Sequence, residues 1–166
     1  MKLLFEKDGF DAIDGLHNWA DISCEQFFII PRAFANFPVL KLLKKHGEFD
    51  IDDERNAVYL PIVPIQAAML NKSCYADPPI PSYCDVAQRL LAYFEKLNDF
   101  ARAQSGNKES FKRIAADIRM IQSQMRQGLE NGMLHAAYPV EIPPEMQKYA
   151  HPKSTEFPGS GGASKN

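Results

Sequence analysis

Apolar and polar positions follow two different rhythms along this chain, and the change falls near residue 82. Before it the apolar runs are short. Phe27-Phe28-Ile29-Ile30, closed by Pro31, predicts a brief buried strand. A helix is expected from Asn36, with Asn36 as the cap and Pro38 in the first turn, where its missing N–H does no harm. Leu40 and Leu43 share one face of it, Lys44, Lys45 and His46 sit at its C-terminal end, and Gly47 stops it. EFDIDDER then reads as an exposed turn, and AVYLP (57–61) as a second strand with Val58 and Leu60 on one face and Tyr59 on the other. IVPIQAAMLNK predicts one short helix, and DPPIP (77–81) a loop.

From Ser82 the spacing becomes helical. Val86, Leu90, Tyr93, Phe94, Leu97 and Phe100 form an amphipathic stripe that ends at Ser105-Gly106-Asn107. A second helix is expected from about Asn107 to Asn131, with Phe111, Ile114, Ile118, Ile121 and Met125 inward. The short break between them predicts an antiparallel hairpin of two long helices over 82–131. Residues 133–158 are proline-rich and read as a wrapping tail, and 159–166, GSGGASKN, as a flexible end. At the other terminus, MKLLF reads as a short strand, followed by polar, irregular chain to residue 25. The fold class expected is α+β, one domain over 1–158: a strand-helix-strand kernel within 26–90 packed on the helical hairpin.

Composition narrows the function classes. With 45% hydrophobic and 24% charged residues the chain has the make-up of a globular protein with a real core. Its formal net charge of −2 supplies no global pull toward nucleic acid, so any phosphate contact must come from a local patch. Cys24, Cys74 and Cys84 are few, odd in number and without a CxxC pair, which favours free thiols and leaves a Cys74–Cys84 bridge open. The apolar start is broken at once by Glu6, Lys7 and Asp8, and no run is long enough to span a membrane, so a cytoplasmic protein without a membrane partner is expected.

One constellation carries a resemblance. Ile29-Ile30-Pro31, Pro38-Val39-Leu40, Phe49-Asp50-Ile51, Asn56 and Leu60-Pro61 follow one another in an order, with Tyr83, Val86 and Leu90 beyond, that resembles the AHH branch of the HNH/endonuclease VII nucleases. The resemblance covers roughly a third of the chain. It implies a ββα-metal-like kernel and a setting in bacterial polymorphic toxin systems. In that family a strand carries Ala-His-His before Ile-Ile-Pro, one histidine activates a water, and a later histidine helps hold a divalent metal.

This chain departs from the pattern where the chemistry lies. Gln26, Phe27 and Phe28 stand at the Ala-His-His positions, and Cys74, Tyr75, Pro78, Pro79 and Ile80 occupy the later loop. Phenylalanine has no lone pair for a metal and no proton to exchange. Asn56 remains, and taken alone it reads as a turn former. No catalytic residue, metal or cofactor is therefore expected, with Phe27, Phe28 and Asn56 marking the vestigial site. The reading that follows is a catalytically degenerate member of a toxin and immunity system, binding a partner protein such as a cognate toxin, or nucleic acid, without hydrolysis.

Two charged segments are candidate surfaces. Glu48, Asp50, Asp52, Asp53 and Glu54 put five carboxylates into seven residues, without the glycine and glutamate positions of a calcium loop. They read as a solvated turn or a contact for a basic partner. Lys108, Lys112, Arg113, Arg119 and Arg126 oppose only Glu109 and Asp117 over 108–126, which reads as a solvated helix face or a low-grade nucleic-acid surface. Two other classes stay open. One is an active nuclease with a divalent metal on relocated ligands, His17 with Asp14 or Asp21. The other is a stand-alone nucleic-acid-binding module on the basic helix.

Overall fold

The computed structural model describes residues 22–150 and the two-residue strand Lys2–Leu3. The fold is α+β, with three antiparallel strands in the order β1 (Lys2–Leu3), β2 (Ile22–Phe28) and β3 (Ala57–Pro61). β2 is longer at its start than the apolar run suggests, because Ile22–Gln26 also pair. Ile29 and Ile30, expected inside the strand, lie just beyond it yet are fully buried. β2 and β3 pair with Phe27 opposite Val58 and Glu25 opposite Leu60, so the 29–56 excursion returns to the strand it left.

That excursion holds α1 (Pro38–Lys45). Its cap is Phe37, with no side-chain hydrogen bond, so Asn36 does not play the expected part; the fixed φ of Pro38 starts the helix instead. Gly47 ends it at φ 71°, a left-handed conformation that costs glycine nothing. A 3-10 turn, Glu54–Asn56, leads into β3. The acidic turn before it is not purely exposed, since Phe49 and Ile51 alternate with its carboxylates and are buried.

After α2 (Pro64–Met69), the helical half departs from the expected pair of long helices. α3 (Pro81–Glu95) begins one residue early, on Pro81, and stops at Lys96; α4 (Asn98–Gln104) is separate. The tight hairpin is formed by α4 with α5 (Lys108–Glu130), across Gly106 at φ 92°. Of the expected stripe, Phe94 and Phe100 are buried and Leu90 and Leu97 pack at the core margin, but Val86 and Tyr93 are exposed; Tyr83, Ala87 and Leu91 complete the inward face of α3. On α5 the expectation holds: Ile114, Ile118 and Met125 are buried, and Phe111 and Ile121 pack at the margin of the core. Asn107 caps that helix by accepting a hydrogen bond from the Ser110 N–H.

The core has two lobes. In one, Val39, Leu40 and Leu43 of α1 meet Leu91, Phe94, Phe100, Ile114 and Ile118. In the other, Phe27, Ile29, Val58 and Leu60 meet Tyr83, Ala87, Met125 and Leu129. Phe34 and Ile121 pack against both. The described part of the C-terminal segment is tied down at its start: the Leu134 N–H donates to the Gly128 carbonyl at 2.8 Å, and the Ala136 N–H to Ser73 Oγ at 2.8 Å.

Gly128 is small because Leu134 crosses it. A Cβ there would stand 2.9 Å from Leu134 Cβ, whose own backbone is bonded to Gly128. Gly128→Ala gains about 1 kcal/mol of helix propensity, yet a forced core shift costs about 1–3 kcal/mol. The expected outcome is a lower urea midpoint with an unchanged slope.

Candidate functional site

At the positions where the resemblance would place histidines, β2 delivers two adjacent phenylalanines to opposite faces of the sheet. Phe27 is buried, with its ring edge-on to Tyr83 at 5.3 Å and to Tyr75 at 6.5 Å. Such aromatic pairs add to what area burial supplies. Tyr83, buried at the first turn of α3, donates its hydroxyl to the Ile29 carbonyl at 2.6 Å. Burial pushes the Tyr83 phenol far above its ordinary range, so it stays a neutral donor. Phe28, on the other face, is half-buried. The Arg32 guanidinium covers its ring at 4.1 Å, a cation–π contact.

Asn56 is no mere turn former. It is fully buried, and its side-chain amide uses all of its hydrogen-bonding capacity. Oδ1 accepts from the Ile30 N–H at 2.9 Å and from Gln122 Nε2 at 3.1 Å. Nδ2 donates to the Ile30 carbonyl at 3.0 Å and the Ile51 carbonyl at 2.8 Å. The Asn56 carbonyl adds a bond from the Ile29 N–H at 2.8 Å. One side chain therefore joins the end of β2, the acidic turn and α5. The space beside it is about 10 Å³, no larger than a water site requires.

The acidic turn and the basic helix, treated as separate surfaces in sequence, meet in the fold. Arg119 of α5 pairs with Glu48. Arg32 binds Asp52 at 2.7 Å, Arg55 binds Asp53 at 2.9 Å, and Lys44 lies 3.7 Å from Asp50. Arg126 donates to the Arg55 carbonyl at 3.1 Å. Arg113 turns the other way and grips Asp99 of α4 through two nitrogens, at 2.8 and 3.0 Å, with Ser110 Oγ donating to the same carboxylate at 2.7 Å. Of the expected partner-binding carboxylates, only Glu54 lacks a basic side-chain partner among the described residues. Of the expected nucleic-acid residues, Arg113 and Arg119 are paired within the chain, Lys112 lies 3.5 Å from Glu109, and Lys108 has no ion-pair partner among the described residues.

Sequence reasoning missed Gln122 and Arg32, and it placed Arg126 on an outward basic face rather than against the Arg55 carbonyl. Arg119, Gln122 and Arg126 recur at i, i+3, i+7, so a polar stripe beside an apolar one was visible, but not what it faces.

The three thiols are free, and burial pushes each upward. The Cys74 thiol points to the Pro61 carbonyl at 3.2 Å, a protonated and therefore unreactive arrangement. His46 caps α1 with its ring 4.6 Å from Phe111. His17, Asp14 and Asp21 lie outside the described residues. Among the described residues no three His, Cys, Asp or Glu side chains converge as a ligand set, and no helix is long and apolar enough to cross a membrane. A cleft of about 750 Å³ lies between α2 and the 132–150 segment, with Lys72, His135 and Glu141 in its lining and none of Phe27, Phe28 or Asn56. A smaller groove of about 260 Å³ runs beside Phe28, between β2 and residues 75–79. Comparison with family models, curated proteins and solved structures gives no match for this chain.

Two outcomes follow from this geometry. Asn56→Ala strands the Ile30 N–H and the Ile30 and Ile51 carbonyls in a dry interior, at about 1–3 kcal/mol for each group left unpaired. A loss of at least about 3 kcal/mol is expected in urea titration, whereas Asp50→Asn, at an exposed pair, should shift stability by under about 1 kcal/mol.

The second concerns acid. The Arg113 hydrogen bonds, then the Ser110 hydroxyl, hold the Asp99 carboxyl at about 2, and Arg55 does the same for Asp53, against an ordinary value of 3.8. A depressed carboxyl stabilises the fold above its unfolded value, and that contribution disappears as pH falls from 3.8 toward about 2. Asp99→Asn should flatten the acid limb of the stability curve in that window and leave its shape at neutral pH unchanged. An identical acid limb in the variant would refute the assignment.

Proposed function

We propose that this chain is a catalytically degenerate AHH nuclease-like protein that binds a partner without hydrolysing nucleic acid, within a bacterial toxin and immunity system. The observation that carries the reading is the packing at the two positions where the resembled family has histidines. Phe27 is sealed among Tyr83 and Tyr75, and Phe28 is covered by Arg32. A general base must reach the proton it removes, and a metal ligand must offer a lone pair. These two rings do neither, and they stabilise the fold instead.

The charge arrangement favours a protein over nucleic acid as that partner. Arg113, Arg119 and Arg126 are committed to bonds within the chain, which leaves the basic face of α5 with its lysines. Two lysines release few counterions, so phosphate affinity would be weak at ordinary salt.

The test is a nicking assay on supercoiled plasmid with magnesium, manganese or zinc. No cleavage above buffer is expected. Cleavage abolished by His17→Ala would overturn the reading in favour of a nuclease with relocated ligands. Phe27→His with Phe28→His should destabilise the protein, the buried Phe27 position alone costing up to about 3–5 kcal/mol, and should not create cleavage.

A further inference from the structure

The hydrogen-bond parity of β2 shows which of its main-chain groups are left over. The Ile29 N–H donates to the Asn56 carbonyl at 2.8 Å, and the Ile62 N–H to the Ser23 carbonyl at 3.1 Å. With Glu25 opposite Leu60 and Phe27 opposite Val58, these bonds place the odd-numbered residues of β2 in the hydrogen-bonded pairs with β3. Cys24, Gln26 and Phe28 therefore turn their N–H and C=O groups to the other edge. β1 covers that edge only at Ile22 and Ser23. The main-chain groups of Gln26 and Phe28 have no partner among the described residues.

This open edge borders the groove of about 260 Å³, whose far wall is Tyr75, Ala76, Asp77 and Pro79. Unpaired strand edges recruit other strands, because each added hydrogen bond replaces one made to water in a site already shaped for it. Glu25 on the near wall and Asp77 on the far wall have no ion-pair partner among the described residues. Arg32, also in the lining, is neutralised by Asp52. The same lining already stacks a guanidinium on Phe28.

We propose that the outer edge of β2 at Gln26 and Phe28 receives an extended segment of a partner protein as an added strand, with a lysine or arginine of that segment set between Glu25 and Asp77. The inference rests on the function proposed above only in taking the partner to be a protein. Gln26 and Phe28 lie two residues apart, so the strand engages main-chain groups over about 7 Å. A second copy of β2 fits less well, since it would bring another Glu25 to the same short edge, like charge beside like. A phosphate chain would meet two carboxylates.

The test is amide hydrogen exchange followed residue by residue on the full chain. In the free protein the Gln26 and Phe28 amides should exchange roughly tenfold or more faster than those of Glu25 and Phe27, which bond to β3. The probe is the capped pentapeptide acetyl-Thr-Lys-Thr-Arg-Thr-amide at millimolar concentration. It should slow Gln26 and Phe28 selectively, and the same peptide with Glu for Lys and Arg should not. Glu25→Gln with Asp77→Asn should weaken the basic peptide by roughly threefold or more while protection at Glu25 and Phe27 positions of the strand stays as it was. Protection of Gln26 and Phe28 in the free chain would overturn the proposal, as would equal binding of both peptides or no binding of either. Protection that grows with protein concentration alone would assign the edge to a second copy instead. None of these outcomes bears on plasmid nicking, so the edge can fail while the non-catalytic reading stands, and the reverse.

Discussion

A single buried amide, that of Asn56, is the constraint on which the kernel depends. An amide side chain in a dry interior is a liability unless each donor and acceptor is matched. Here two acceptances and two donations reach three separate parts of the chain: Ile30 after β2, Ile51 in the acidic turn and Gln122 on α5. Apolar packing alone would not select this arrangement, because Ile29, Ile30 and Ile51 could bury themselves in other registers. The amide makes those alternatives costly, since any shift strands several groups at once. It thereby fixes where β2 ends, and so which way Phe27 and Phe28 face.

From that fixed point the aromatic cluster follows. The Ile29 carbonyl, held next to Asn56, accepts the Tyr83 hydroxyl, which places the first turn of α3 against β2. Phe27 then fills the space between Tyr83 and Tyr75. Close-packed rings thus fill the space between β2 and the first turn of α3. A polar group at Phe27 would require unpacking the contact that seats α3.

Local pattern made the elements legible, and the errors lie where partners are distant. β3, α1 and α5 emerge from periodicity within a few residues because their buried faces are built from Leu, Ile and Val. The stripe on α3 is only partly legible, because its buried face adds Tyr83 and the small Ala87 to Phe94, while Val86 and Tyr93, the apolar residues that draw the eye, are exposed. Asn56 read as a turn residue because its neighbours in sequence suit a turn. Two of its partners lie 26 and 66 residues away, and no spacing rule reaches them. The acidic turn read as a free field for the same reason, since Arg119 is 71 residues from Glu48. The arginine over Phe28 left no mark in the sequence, because it comes from a 3-10 turn without periodicity.

Charge completes the argument about where recognition can occur. The ion pairs around the acidic turn join side chains that are from about a third to two-thirds exposed, and exposed pairs contribute little to stability. Their larger effect is on the outward field. Each pairing offsets a charge that a partner would otherwise feel, so the acidic stretch presents less net negative charge than its sequence suggests. What remains unmatched among the described residues includes Glu25 and Asp77, beside a strand edge whose own donors and acceptors are unmatched too. Main-chain groups supply directional bonds and carboxylates choose the sign of the visitor. In the groove beside Phe28 the two coincide, although the chain's densest charge lies elsewhere in its sequence.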